Sequence, residues 1–584
     1  MNDESGTREG FEFDWSRGRS PLLPAKFETL EKQATVNSIE LFVFRHLILD
    51  FHRSRASTHT ATTKIAVKML RRITQETFDE CVQGNIDDFE MEPDEAVGEA
   101  VKEFELQGVD ISQIDKSYAG PDGRGEHPAA SAAKEHAAAV ETNAANVEDT
   151  AKKLRECISG EGAIPGWGSA CVNAGAVQAC WRRCEQTVTG PDVSTDVVTD
   201  AMTTLAAVLG CDEARDTFVG LRHPMKFVTE HWPACVQSHP TSVASMCQVV
   251  AAAATKNEAA KGAFIKAGVE VPLVAVFQTP ESNGEVLRAA CAAVKALTTG
   301  DDPREPASGA FTHSRAFAKA GAASALCASL KRVDAKEDAH LCASLASALK
   351  HTAVNDDICK ETAEHGGVAR ALELLSTDAI AAGDARLAKA CASCLRQLAG
   401  SDSNKSLIVN AGGLAVLTHV VNVFGARASD SNCAELDVAK YRSVQEQCVG
   451  CLAALLLKNP EGAARCGVEG VFEPVVDAMS KARTHAGVQR QCAMFLRNAV
   501  VRNPENVPAV LLNTDAESLL RLSKKNHPRE CVDVASAAMR DLGCENYNEG
   551  WTPTTAVMGA DGVVRTPEEL GDEPEGCVNG PIPE

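Results

Sequence analysis

Val488-Gln-Arg-Gln-Cys-Ala-Met-Phe-Leu-Arg-Asn-Ala-Val500 reads as an amphipathic helix, because Cys492, Phe495, Leu496 and Ala499 fall at three- and four-residue steps on one apolar stripe. The rest of the chain repeats it. A cysteine followed by small and branched apolar residues recurs at Cys247, Cys291, Cys342, Cys391, Cys448 and Cys492, in steps of 44, 51, 49, 57 and 44 residues. Roughly half a period upstream stands a glycine step, at Ala267-Gly268, Ala320-Gly321, Gly366-Gly367 and Ala411-Gly412-Gly413. Glycine tolerates the left-handed conformation in which one helix stops before the next begins. Two landmarks in fixed phase, with helical patterns between them and almost no strand signal, predict an all-α helical solenoid.

The order of short helix, glycine step, apolar helix and long helix is clearest from Asn404-Lys405-Ser406-Leu407-Ile408-Val409-Asn410 into Ala411-Gly412-Gly413-Leu414. It resembles the armadillo consensus, in which Asn-Lys opens the first helix and Ala-Gly-Gly separates the first from the second. The resemblance implies a right-handed superhelix. Glycine steps near Gly175, Gly220, Gly268, Gly321, Gly366, Gly412 and Gly470, with a degenerate one at Thr514-Asp515, give about eight repeats. Arg72-Ile-Thr-Gln-Glu-Thr-Phe-Asp79, Asn85-Ile-Asp-Asp-Phe89, Pro93-Asp-Glu-Ala-Val97 and Gln107-Gly-Val-Asp-Ile111 are similar to the N-terminal signature of the armadillo repeat-containing protein six family. Gly487-Val-Gln-Arg-Gln491, Leu496-Arg-Asn498 and Met539-Arg-Asp-Leu-Gly-Cys544 are similar to its last two repeats. The resemblance implies a repeat scaffold with no assigned chemistry.

The 584 residues carry 58 basic and 80 acidic side chains, a net charge of −22, and only 4% aromatics. The negative excess disfavours binding to phosphate backbones, so no nucleic-acid partner is expected. Few rings and many alanines suit closely packed helices in a stack. Twenty-two cysteines would suggest disulfides in a small secreted chain, but no signal peptide is evident and many of them occupy apolar helical positions. They read as small buried hydrophobes in a reducing compartment, cytoplasmic or nuclear. The densest apolar run, Leu41 to Phe51, is broken by Arg45 and His46, so no membrane span is expected. The chain reads as a monomer.

Residues 1–68 read as an N-terminal extension; the basic Ser/Thr-rich run from His52 to Thr58 raises a targeting peptide, against which Asp3 and Glu4 stand. Residues 69–116 predict two short amphipathic helices, the second opened by Pro93, stopped at Gly108 and lined on one face by Glu95, Glu99, Glu103 and Glu105. They read as a cap beside the solenoid or as a linear interaction element. Residues 117–150 read as a flexible Ala/Gly/Glu-rich linker, 151–547 as the solenoid and 548–584 as a disordered acidic tail. Two polar inserts, Asp301 to Gly309 and Ala426 to Lys440, are expected to be exposed loops.

Cys391-Ala-Ser-Cys394 and Cys448-Val-Gly-Cys451 fit C-x-x-C, a spacing that suits zinc or redox chemistry. Each lies inside a long helix with its first cysteine at the periodic position, and no ordered second ligand pair follows. Both therefore read as packing residues, with no metal and no cofactor, and a cysteine-based redox or metal-binding protein stands as a rival reading. No H-x-x-x-H, G-x-x-x-x-G-K or G-x-S-x-G occurs, so no zincin site, phosphate loop or nucleophile elbow is predicted and the chain does not read as an enzyme.

The binding surface that an armadillo array implies is the concave groove lined by third helices. In nuclear-import adaptors it carries Trp four residues before Asn; none of the five tryptophans here has that partner, and Asn498 is preceded there by Met494. That disfavours the second rival, a transport adaptor for basic signals. The aligned third helices instead present Lys295, Arg396, Arg497 and Arg540, with Asn498 beside Arg497 and with Ala346 and Ala453 at the same place in two other repeats. These five polar residues are the predicted groove site, and the predicted occupant is an extended acidic segment of a protein partner. Opposite charge also predicts that the acidic N-terminal helices compete for Lys295 and Arg396.

Overall fold

Residues 71–549 are described by the computed structural model, except 90, 108, 112–113, 117–125, 161–162, 191–192, 239 and 281, together with a strand pair at 557–558 and 564–565. The extension 1–68, the first part of the linker and nearly all of the tail 548–584 lie outside the described residues.

Helices Gln75–Phe89 and Pro93–Leu106 pair through Phe78, Val82, Ala96, Ala100 and Phe104, and the chain folds back over them with Val109, Ile111 and Ile114. Arg71–Arg72 and Val109–Asp110 run parallel as a short strand pair. Gln75 holds the exit: its amide nitrogen donates to the Asp115 carbonyl at 3.0 Å and its amide oxygen accepts from the Asp115 N–H at 2.8 Å. The N-terminal signature thus encloses a small core of its own, and Glu95, Glu99, Glu103 and Glu105 point to solvent.

The reading of 117–150 as a linker is corrected by two helices, Pro128–Thr142 and Val147–Ile158. His127 caps the first by accepting from the Ala129 amide at 3.1 Å, Pro128 supplies a preset first-turn φ, and Asn143 ends it in the left-handed region at φ 48°. Its buried face, Ala129, Ala132, Ala133, His136, Ala139 and Val140, keeps steps of three and four. An alanine stripe flanked by further alanines, Ala130, Ala137 and Ala138, gives little hydropathy contrast, which hides the period. His136 is buried and bonded to Thr150 at 3.0 Å, and burial holds its imidazole below the usual range. The solenoid therefore begins with a two-helix half repeat at Pro128, earlier than the expected 151.

Among the described residues eight repeats follow from Trp167, each of three α-helices except the fifth, which carries an additional short helix, Asp378–Ala382. Their third helices are Thr195–Val208, Val243–Ala254, Gly284–Thr298, Ala335–Thr352, Ala385–Leu398, Glu435–Leu456, Ala486–Val500 and Pro528–Asp541. Successive third helices pack against one another along the array, and one continuous core runs from Ala129 to Cys544. The chain forms the all-α solenoid that the period predicts. Every periodic cysteine lies in this core, none more than 3% exposed.

Six of the glycine steps (Gly175, Gly268, Gly321, Gly366, Gly412 and Gly470) adopt φ between +67° and +88°. At Gly412-Gly413 the first residue makes the left-handed turn, and the second has no room for a side chain: a Cβ would stand 2.7 Å from the Ile408 carbonyl oxygen. Gly220 departs from the pattern, with φ −73°, and the left-handed residue of that repeat is His223, at φ 56°.

The Asn-Lys opening ties repeats together. Asn404 donates to the carbonyls of Cys359 and Leu398 in the preceding repeat, at 2.8 and 3.1 Å. Lys405 donates to the Leu457 carbonyl at 2.8 Å, at the end of its own repeat's third helix, where carbonyls lack an intrahelical partner. Four residues past their N-caps, Arg215 and Lys261 do the same for the carbonyls of Ala252 and Thr299, at 3.0 and 2.6 Å.

The insert at 301–309 is a loop, but a pinned one: Lys261 reaches Asp301, the Glu258 amide donates to Asp302 at 3.1 Å, and Arg304 spans Asp302 and Asp216 at 2.9 and 2.8 Å. The expectation of a loop at 426–440 is corrected. Its first residues end the second helix, Gly413–Ala428, and its last begin the 22-residue third helix, Glu435–Leu456. Glu, Leu, Ala and Lys are good helix formers, so polarity alone does not mark a loop there.

Candidate functional site

Lys295 and Lys350 stand in the last turns of the third helices of repeats three and four, and Lys389 and Arg396 on that of repeat five. The helix dipole favours Lys295, Lys350 and Arg396 near C-terminal ends, whereas Lys389 lies in the second turn of its helix and joins them through side-by-side stacking. Lys295, Lys350 and Lys389 border a concave pocket of about 540 Å³ on the third-helix face. Burial, and after it the charges of Lys295, Arg396 and Lys389, pull the Lys350 ammonium below its ordinary range. Burial together with Lys350 and Lys295 brings His351 down to about 4, so this imidazole is neutral at pH 7. Among the described residues none of Lys295, Lys350, Lys389 and Arg396 has an acidic partner, whereas Arg288 at the rim is paired with Asp338.

Arg396 crosses toward the next two repeats, reaching the amide oxygens of Gln447 at 3.5 Å and Gln491 at 3.4 Å. It lies over Gly450, where a Cβ would stand 2.6 Å from its Nη1. Neutral acceptors orient the guanidinium and leave its charge uncompensated.

The other three predicted groove residues hold internal bonds. Arg497 and Arg540 converge on one carboxylate, that of Asp541, at 3.2 and 2.8 Å. Asn498 donates to the Ala453 carbonyl of the preceding third helix at 2.9 Å. Of the five, Lys295 and Arg396 belong to the cationic patch; the rest sit toward the C-terminal end, where Asp541 answers both arginines. Lys350 and Lys389 were missed by sequence reasoning, though a signal existed. Lys350 stands one turn past Ala346 and Lys389 two turns before Arg396, each on the same helix face.

The four C-x-x-C cysteines, Cys391, Cys394, Cys448 and Cys451, are wholly buried inside third helices. Burial pushes the Cys451 thiol up to about 12 and the other three further still. A thiol held protonated in apolar surroundings is a poor nucleophile.

Residues 70–142 match the family model of the armadillo repeat-containing protein 6 N-terminal domain, a span that takes in the two-helix core and the first helix of the half repeat. The human armadillo repeat-containing protein 6 is 28% identical over 425 residues, covering 66% of this chain and 77% of that protein. The Drosophila melanogaster homolog is 25% identical over 361 residues, covering 60% and 73%. Among solved structures, an engineered protein superposes with a TM-score of 0.54 at 19% identity, covering 81% of this chain and 99% of that one. A chain from a structure on the interaction between cadherin and β-catenin gives a TM-score of 0.50 at 14% identity, covering 83% and 84%. At these identities the likeness is one of fold. With the N-terminal domain model matched over residues 70–142 and the relatives aligned along the repeat array, the chain is similar to armadillo repeat-containing protein 6.

Proposed function

We propose that the chain is a non-enzymatic scaffold, a cytoplasmic or nuclear monomer, that holds an extended acidic segment of a partner protein along the third-helix face of repeats three to five. The observation that carries this reading is the group formed by Lys295, Lys350, Lys389 and Arg396, cations without carboxylate partners among the described residues, in a chain of net charge −22. Unpaired like charges held close repel one another, and an anionic ligand relieves that repulsion while gaining from electrostatic steering. The sign of the patch opposes a role in carrying basic signals. The depth and raised pKa of the C-x-x-C thiols oppose redox or metal work at those cysteines. The test is fluorescence anisotropy of a labelled twelve-residue peptide rich in Asp and Glu, titrated with the whole chain at several salt concentrations. Lys295→Glu with Lys389→Glu, both exposed positions, should weaken binding by about tenfold or more, equivalent to about 1.4 kcal/mol. A salt-dependent affinity that survives both reversals would place the acidic segment elsewhere.

A further inference from the structure

We infer that the pocket between the third helices of repeats three, four and five seats a phosphorylated side chain of the bound segment. The inference rests on the reading of this face as a site for an acidic segment, and names the group recognised at its centre. Carboxylates spaced along an extended peptide are best met by cations spaced along the array. Here the cations are instead gathered around one cavity of about 540 Å³: Lys295, Lys350, Arg386 and Lys389 line it from three successive helices. Farther along the array, Arg497 and Arg540 are answered by Asp541, and the corresponding place in repeat six is Ala453.

The pocket also offers hydroxyls. Ser347 and Ser393 line it, neither has a hydrogen-bond partner among the described residues, and Ser393 is only 7% exposed. Lys350 is half-buried at the same place, so its ammonium has lost part of its water without gaining a counter-ion. A phosphomonoester fits this set better than a carboxylate does. It brings a charge of about −1.5 to −2 and three acceptor oxygens in a tetrahedral array, enough to engage several ammonium groups from different directions and the two hydroxyls together. A carboxylate brings one charge and two oxygens in a plane. Charge-assisted bonds from several donors to one anion are the stronger kind.

The experiment uses one acidic peptide synthesised with serine, phosphoserine or glutamate at its centre, titrated by anisotropy into the whole chain. The phosphoserine form should bind about tenfold tighter than either of the others. Lys389→Met, at an exposed position, and Lys350→Met, checked for unchanged melting, should each weaken the phosphoserine form more than the serine form, so that this advantage is lost. Three peptides of equal affinity, all weakened by Lys295→Glu with Lys389→Glu, would overturn the phosphoryl pocket and leave the acidic groove standing. Absence of binding by every peptide would overturn both. A single-stranded RNA oligonucleotide that binds as tightly as the phosphopeptide, and loses affinity in Lys389→Met, would overturn the peptide assignment in favour of a nucleic-acid backbone.

Discussion

Lys405 and Lys336 carry the same ammonium group in opposite settings. Lys405 is 5% exposed and donates to the Leu457 carbonyl and to Asp402, at 2.8 and 2.6 Å. Lys336 pairs with Asp378 at 3.6 Å, with its side chain 74% exposed. Replacing Lys405 by Met keeps the apolar stem and leaves a helix-end carbonyl buried without a donor, which should cost about 2 kcal/mol in urea unfolding. Lys336→Ala should stay within about 0.5 kcal/mol of the parent, because water and ions already screen that pair. Equal losses in the two variants would show that burial is not what makes the Asn-Lys opening matter. The same contrast separates the groove cations. Arg497 and Arg540 answer Asp541, whereas Lys350 sits half-buried with other cations for neighbours.

At the scale of elements, the loop at 301–309 provides a pH test. Hydrogen bonds from Arg304 hold Asp302 at about 2, below the ordinary aspartate value of 3.8. A group whose folded pKa is depressed contributes stability that is present above its unfolded pKa and lost as pH falls through the folded one. Protection of the 301–309 amides against hydrogen exchange, corrected for intrinsic rates, should therefore hold down to about pH 4 and fall between pH 4 and pH 2. Asp302→Asn should lower that protection already at pH 7. How much could be read beforehand differs from element to element. The third helices were legible because Cys492, Phe495, Leu496 and Ala499 alternate with long polar side chains, so the stripe stands out. Pro128–Thr142 was not, because its buried face is mostly alanine. Lys350 and Lys389 were overlooked for a different reason. Counting residues finds neighbours within one helix, but contact between helices depends on connections of unequal length, and steps of 44 to 57 residues give no common register. Only the stacking of helices shows which cations meet.

For the whole array, each repeat covers the flank of its neighbour, so stability builds through interfaces. The eighth third helix, Pro528–Asp541, lies on the seventh, Ala486–Val500. Deleting 504–545 should uncover the apolar flank of repeat seven, lower the melting temperature and produce soluble aggregates in light scattering. A truncated chain that stays monomeric with unchanged melting would show that the seventh repeat needs no cover. The stacked thiols carry a further consequence, for reversibility. Cys394 has Cys327, Cys359 and Cys451 for electrostatic neighbours, Cys291 has Cys247, and Cys492 has Cys531. Folded, they are held protonated and out of reach of oxidants. Once an interface opens, each thiol returns toward an ordinary pKa of about 8.5 while partners from adjacent repeats are still tethered nearby. Oxidation would then join sulfurs that the native packing keeps apart, turning a transient opening into a permanent one. Heating and cooling should accordingly restore most of the helical signal under a reductant and little of it in air, with non-native disulfides in the residue that fails to refold.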